Sequence, residues 1–332
     1  MIRGVRSEVN LLWRSLGLRA GLAVFLPLLL TLPALSLSAQ SSKSDPQVPA
    51  AATPAWQTAA GGKQEFEVAS VRQSLPNSSI KTNFGLDFFE DTGRLNGLFS
   101  ARTYLKVYIE FAYKIAEYRE QEEMLERQLP SWANTAPFEI EARAEDNPTK
   151  DQVRLMMQSL LEERFKLRMR VETRQLPVYA LVLVEPGKLG PGLQPHGAGT
   201  TCAERPQPDL GPTTSEKPPV FCGDDIWHEG SRVHVRMLDA TMAHIAEMFT
   251  EAGVIQGDTD QQLVVDGTGL TGRFDLDLVC RQEANASVNA GPDSGGQTAV
   301  ESMKKQLGLK LVKRTAPVPL YVIDHVERPM EN

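Results

Sequence analysis

Apolar and polar residues alternate strictly in "PFEIEAR" (137–143), with Phe138, Ile140 and Ala142 on one side and Glu139, Glu141 and Arg143 on the other. Successive side chains of a strand point to opposite faces, so a period of two predicts a half-buried strand. "RFDLDLVC" (273–280) repeats the phrase, setting Phe274, Leu276, Leu278 and Cys280 against Asp275 and Asp277. Upstream of each strand the period changes. In "ARTYLKVYIEFAYKI" (101–115), Leu105, Tyr108, Ile109, Ala112 and Ile115 recur at helical spacing behind Ser100. In "ATMAHIAEMFTEAG" (240–253), Met242, Ile245, Ala246 and Phe249 do the same behind Asp239. Both patterns predict amphipathic helices, capped by Ser100 and Asp239, the second ending at Gly253.

A second helix follows in each region. Thr149 and Gln152 make a capping box ahead of Val153, Met156, Met157, Leu160, Leu161 and Phe165, and a shorter counterpart near 299–307 stops at Gly308. Each leads into a basic strand, "FKLRMRVETR" (165–174) or "LKLVKRT" (309–315). A turn and a closing strand are expected next, "PVYALVLVE" (177–185) or "PLYVIDHVE" (319–327). The order strand–helix–strand–helix–strand–strand thus occurs twice. The expected fold is α+β, with two tandem, internally repeated α/β-sandwich-like halves at 65–185 and 231–332. The first half opens on a strand in "EFEVASVRQS" (65–74), and the segment between the halves, 186–230, reads as an irregular linker loop. The small, proline-rich stretch 40–64 reads as a flexible tether with no fold of its own.

Composition adds compartment. Apolar content of 41% and charged content of 23% over 332 residues are those of a folded protein. Residues 1–39 hold four arginines against Glu8, a net +3, so the formal charge of −7 becomes −10 without them. An acidic body repels phosphate backbones, which excludes nucleic acid as a partner. The arginines precede an uncharged stretch, 20–42, with small residues at Ala34, Ser36, Ser38 and Ala39. This is the pattern of a signal peptide, 1–39, cleaved near 36–40, and the expected location is periplasmic or extracellular. An uncleaved segment would instead anchor the chain in the membrane. Cys202 and Cys222 bracket a loop rich in Pro, Gly, Ser and Thr and are expected to form a disulfide, while Cys280 falls on the core side of its strand.

The chain resembles an uncharacterised secreted family expanded in acidobacterial soil bacteria. The resemblance spans about 65–332 and rests on "FEVASVRQS", "LPVYALVLVEPGKLGP", "VVDGTGLTGRFDLDL" (264–278) and the ending "QLGLKLVKRTAPVPLYVIDHVERPMEN". It implies an exported protein bearing a domain of unknown function, one that also occurs fused to transmembrane metallopeptidases of the beta-lactam-sensor type. It brings no catalytic residues.

Motifs of chemistry are sparse. The five histidines form no H-E-x-x-H, and neither G-x-S-x-G nor a P-loop occurs, so no catalytic, metal or cofactor residues are assigned. His234 and His244 read as surface positions. The pairs Glu139/Glu141 and Asp275/Asp277 read as wet strand faces, opposed by the basic strands carrying Arg168, Arg170, Lys310 and Lys313. "DGTGLTG" (266–272) reads as a tight turn. The weak candidates for a polar site are Asp224, Asp225, His228 and Glu229, gathered in "CGDDIWHEG". The function these features favour is a non-catalytic extracytoplasmic binding, sensory or interaction module, with a protein or small-molecule ligand of the envelope as partner. The alternatives are an envelope hydrolase with an unrecognised carboxylate/His site, and a structural scaffold.

Overall fold

The computed structural model describes residues 54–87, 94–197, 202, 223–230, 232–251, 262–281 and 298–330, all within one unit, 49–332. Its expected α+β class holds. The first sheet contains β1 (Val68–Gln73), β2 (Lys81–Thr82), β3 (Leu98–Thr103) and β4 (Phe138–Arg143) in the order β1-β4-β3-β2, antiparallel throughout. The second contains β6 (Leu193–Pro195), β7 (Gly223–Glu229), β8 (Arg232–Ala240) and β10 (Phe274–Arg281) in the order β6-β10-β8-β7, again antiparallel. Taken by chain order, both sheets run first–fourth–third–second.

Helices cover one face of each sheet. α2 (Leu105–Tyr113) and α4 (Lys150–Phe165) enclose a core with Phe99, Phe138 and Ile140, and Phe138 packs edge-on against Phe165 at 5.1 Å. The Tyr108 hydroxyl lies 2.8 Å from Ala101 O and 3.0 Å from Phe138 O, fixing α2 over β3 and β4. α5 (Met242–Glu251) and α6 (Ala299–Ser302), which continues as a π-helical turn Met303–Leu307, enclose the second core with Phe274, Leu276 and Leu278. Thr149–Gln152 and Thr298–Glu301 are both complete capping boxes, and the second helix stops at Gly308 with φ of 70°.

The expected starts of α2 and α5 are corrected. Leu98–Thr103 and Arg232–Ala240 are strands, so Ser100 and Asp239 cap nothing. Apolar residues at 99, 101, 104 and 105 fit either period over so short a run, and neighbouring strands decide the outcome. Thr241 takes the cap of α5, accepting from His244 N–H at 3.2 Å, and Asp239 sits at a bulge with φ of 58°.

The larger correction concerns the closing strands. No turn separates them from the basic strands: β5 (Arg168–Leu183) and β11 (Leu309–His325) are continuous. They pair antiparallel from Leu309↔Leu183 to His325↔Arg168. Each closing strand therefore pairs with the basic strand of the other half, not with its own. The offset that carries Pro177, Tyr179 and Glu185 onto Pro319, Tyr321 and Glu327 also carries Gln175 onto Pro317, and those two face each other in the register. An approximate two-fold passes through that pair.

One face of this ribbon feeds both cores, with Met169, Tyr321 and Ile323 at one end and Tyr179, Leu181 and Leu309 at the other. The opposite face forms a third cluster of Val178, Val318, Leu320 and Val322 with Tyr118 and Met124. β9 (Val264–Asp266) pairs in parallel with β5. On the other side, α3 (Arg119–Gln128) covers the edge of β11 with side chains. Gln121 Nε2 donates to Tyr321 O at 3.0 Å and its Oε1 accepts from Tyr321 N–H at 2.8 Å, while Gln128 Oε1 accepts from Ile323 N–H at 2.9 Å.

The tether and linker are corrected in part. From Pro54 onward the expected tether is structured: α1 (Ala55–Ala59) lies against α4, Lys114 sits over the Trp56 ring at 5.0 Å, and Ser159 Oγ donates to Gln64 O at 2.6 Å. At the linker's ends, β6 and β7 join the second sheet. Gly190 and Gly192 make the first of these possible, because a Cβ on either would stand 2.3 Å from Gln306 O or Asp277 O. The stretch 266–272 is the expected turn, with Asp266 Oδ1 accepting from Thr268 N–H and Oγ1–H.

Two outcomes follow. Phe138→Ala removes a fully buried ring and should cost about 3–5 kcal/mol in urea denaturation. Residues 65–185 and 231–332 produced separately should each lack a cooperative thermal transition and gain one on mixing, because each core contains side chains of the other fragment; a cooperative melt from either alone would show the exchange to be dispensable.

Candidate functional site

Alternation along β7 decides the fate of the polar candidates. Asp224 and Ile226 face the core side, whereas Asp225, Trp227 and Glu229 face the other. Asp224, Asp225, His228 and Glu229 therefore do not converge, which corrects the cluster suggested by their spacing. Asp224 Oδ2 meets His244 Nε2 at 2.7 Å, and both side chains are buried. The other ring nitrogen of His244 lies 3.5 Å from Glu247 Oε2. His244 is thus no surface residue; with both nitrogens facing carboxylates, it ties β7 to α5.

On the opposite face, Trp227 is stacked against His234 (4.8 Å, 15°), with Arg236 over its ring at 4.8 Å. Arg236 is buried, stands opposite Asp225 in the register, and lies 3.6 Å from Asp277. Glu229 lies 3.1 Å from His234, and His228 is exposed. Every acid of this face has a cationic or imidazole neighbour on the adjoining strand.

The paired carboxylates of the two echoed strands behave similarly, with a change of partner. Lys81 on β2, two strands away, and Arg102 on the adjoining β3 hold Glu139, at 2.9 and 3.0 Å, and keep it below the usual carboxylate range. The basic strands do not oppose it: Arg170 pairs with Glu172 and Asp324. Asp275 Oδ1 accepts from Asp239 N–H at 3.0 Å and meets His196 Nδ1 at 2.7 Å, which stabilises the bulge at Asp239. Phe274 is buried and Asp277 exposed, as the alternation predicts. Cys280 is a buried thiol, and the pair Cys202–Cys222 reaches a residue outside those described.

One polar group escaped the sequence reading. Lys106 and Glu110 stand one turn apart on α2, and Glu122 on α3 completes a triad. Lys106 Nζ lies 2.7 Å from Glu110 and 2.5 Å from Glu122. One ammonium cannot balance two carboxylates. Burial pushes Glu110 up to about 8, against the pull of Lys106 and with the help of Glu122. For Lys106 burial acts downward, but the two carboxylates outweigh it and raise it overall. The i, i+4 spacing of Lys106 and Glu110 was a signal; the third member, on another helix, had none. Among the described residues no three His, Cys, Asp or Glu side chains are placed to hold a metal ion.

Three clefts run along α4, apart from all of these groups. One of about 490 Å³ is lined by Phe66, Glu67, Glu145, Asp146 and Met156 among others, and one of about 410 Å³ by Phe66, Val68, Leu160, Glu163 and Arg164 among others. The third, about 210 Å³, lies by Gln57, Lys63 and Tyr113. None of the three is lined by histidine or cysteine.

The triad gives a pH dependence with a definite sign. A carboxyl raised in the folded state from 4.5 to about 8 binds its proton more tightly there than in the unfolded chain. Its contribution is complete below the unfolded value and is lost as pH rises through that window. Stability of the wild type relative to Glu110→Gln should therefore fall between pH 5 and 8, as read from urea melts at both ends.

No curated protein and no solved structure matches the chain. A family profile does, over residues 106–326, and its description is "Protein of unknown function (DUF3738)". The match begins in α2 and ends just after β11, so it takes in β4 of the first sheet, the ribbon and the second sheet, and leaves out β1, β2 and β3. The chain belongs to this family of unknown function, DUF3738.

Proposed function

We propose that this protein is a non-catalytic extracytoplasmic module that binds a partner or ligand. The observation that carries the reading is the separation of chemistry from space. The clefts lie along α4, while His196, His234 and His244 are engaged with carboxylates elsewhere. A hydrolase needs its acid, base and cleft in one place. A binding surface needs only a shaped cleft with a few polar groups at its border. Export would follow from the signal pattern at 1–39, and a periplasmic or secreted location agrees with a Cys202–Cys222 disulfide. The resemblance to an acidobacterial secreted family, with members fused to sensor-type peptidases, supports a sensory or envelope role by analogy alone. The common strand order of the two sheets supports a duplication as their origin.

Four measurements test this. The mature protein should begin within the tether when its N-terminus is sequenced from the periplasm or medium, and non-reduced mass mapping should show one Cys202–Cys222 bridged pair; intact Met1 in the membrane fraction would establish the anchor instead. A photo-crosslinker at Glu163, on the rim of a cleft, should capture a partner in the periplasm that the same group at Glu123 on α3 does not. Hydrolysis of an envelope polymer by the purified protein would overturn the reading.

A further inference from the structure

β1 is an outer strand of the first sheet. Ser74 N–H donates to Pro137 O at 2.8 Å, continuing the β1–β4 register. Alternation then turns the backbone groups of Ser70 and Arg72 toward β4, and those of Ala69, Val71 and Gln73 outward. Among the described residues, the bond made to that outward row comes from a side chain: Arg164 Nη2 of α4 donates to Ala69 O at 3.3 Å. An arginine N–H there occupies the place that the N–H of an added strand would take.

Beside that row the 410 Å³ cleft lies between Glu65–Ala69 and α4, with Phe66, Val68, Met156 and Leu160 as its apolar wall. Glu65, Phe66, Glu67 and Met156 also line the 490 Å³ cleft, together with Pro148. An edge strand beside a helix, with apolar pockets at intervals, is the geometry in which extended peptides dock by adding a strand.

Charge selects the occupant. Glu65 is held by Lys63 at 3.0 Å, and Glu163 by Arg164 at 3.2 Å. Glu67, Glu145 and Asp146 have no cationic partner among the described residues, and all three are exposed on the larger cleft. Their charge is spread along a groove and does not converge as a metal ion requires. Cations spaced along a chain match that distribution.

We propose that the groove between the β1 edge and α4 takes an extended, lysine- or arginine-rich segment of another polypeptide. The segment adds as a strand to Ala69, Val71 and Gln73, displaces the Arg164 bond, and lays its cationic side chains over Glu67, Glu145 and Asp146. This rests on the binding-module reading and names the class of partner.

The probe is a labelled short peptide of alternating lysine and valine, titrated by anisotropy against the mature protein, with a glutamate–valine peptide as comparison. The lysine peptide should bind, and Glu67→Lys with Glu145→Lys should weaken it by about tenfold. Ala69→Pro, which removes an outward N–H and no bond to β4, should weaken it as well. In case that variant does not fold, hydrogen exchange of the wild type supplies the same information, since the Ala69 and Val71 amides should slow when the peptide binds. Absence of binding, equal binding of the glutamate peptide, unchanged exchange at those amides, or an equal loss from Glu123→Lys on α3 would each overturn the proposal. A partner crosslinked elsewhere on the surface would leave the binding-module reading standing while this inference fell.

Discussion

The exchange of strands in the β5–β11 ribbon is the constraint on which the rest of the molecule depends. Each four-stranded sheet has helices over one face, but neither core closes with its own residues. Ile323 and Tyr321 complete the first core, and Tyr179 and Leu181 the second. Because the register runs unbroken from Leu309↔Leu183 to Ile323↔Met169, the two ends cannot shift independently. A slip of one residue would turn the core-facing row toward the third cluster and the third cluster toward both cores. Pairing across so long a sequence separation is slow to find and cooperative once found. The family match over 106–326 runs without a division at the linker, through β4, both strands of the ribbon and the second sheet.

With position fixed by the ribbon, the charged residues settle into pairs. Lys150 and Arg154 are buried at the start of α4, where Asp87 lies 2.6 Å from the first and Asp151 2.6 Å from the second. Arg154 also lies 5.3 Å over the Phe111 ring, as Arg236 lies over Trp227. Guanidinium groups tolerate such burial because their flat faces are weakly hydrated. Removing one member of such a pair leaves an uncompensated buried charge, so these networks fix the fold while adding modestly to its net stability. The Lys106 triad is the exception, since it sets two carboxylates against one ammonium, and burial raises Glu110 above the usual carboxylate range.

What the sequence made legible followed from periodicity. The strands at 138–143 and 274–280, the Thr149–Gln152 capping box, the stop at Gly308 and the burial of Cys280 could each be read from local pattern, because each depends on neighbours in the chain. Three features could not. The partner of a strand is a long-range choice: the turn expected before "PVYALVLVE" is absent, and Pro177 sits inside a continuous strand opposite Thr315. Asp224 and His244 are twenty residues apart on different elements, and nothing local joins them. The four polar candidates of β7 were adjacent in sequence for the same reason that separates them in space: consecutive residues of a strand face opposite ways.

The edges of the three sheets show how the same need is met in different ways. β2, β6 and β9 are two or three residues long, too short to template another strand. β11 presents a long edge at Tyr321 and Ile323, and there α3 supplies glutamine amides where β9 supplies a backbone on the two-fold-related side, at Tyr179. The α3 solution satisfies the edge at Tyr321 and Ile323 without extending the sheet. β7 borders residues outside those described. β1 is six residues long, and along its outward row the described residues offer a single arginine to one carbonyl. Inward-facing pairing, a helix and a strand each close an edge fully; one flexible side chain closes it reversibly. That difference, more than the charge of the groove, makes β1 the place where this fold can accept another chain.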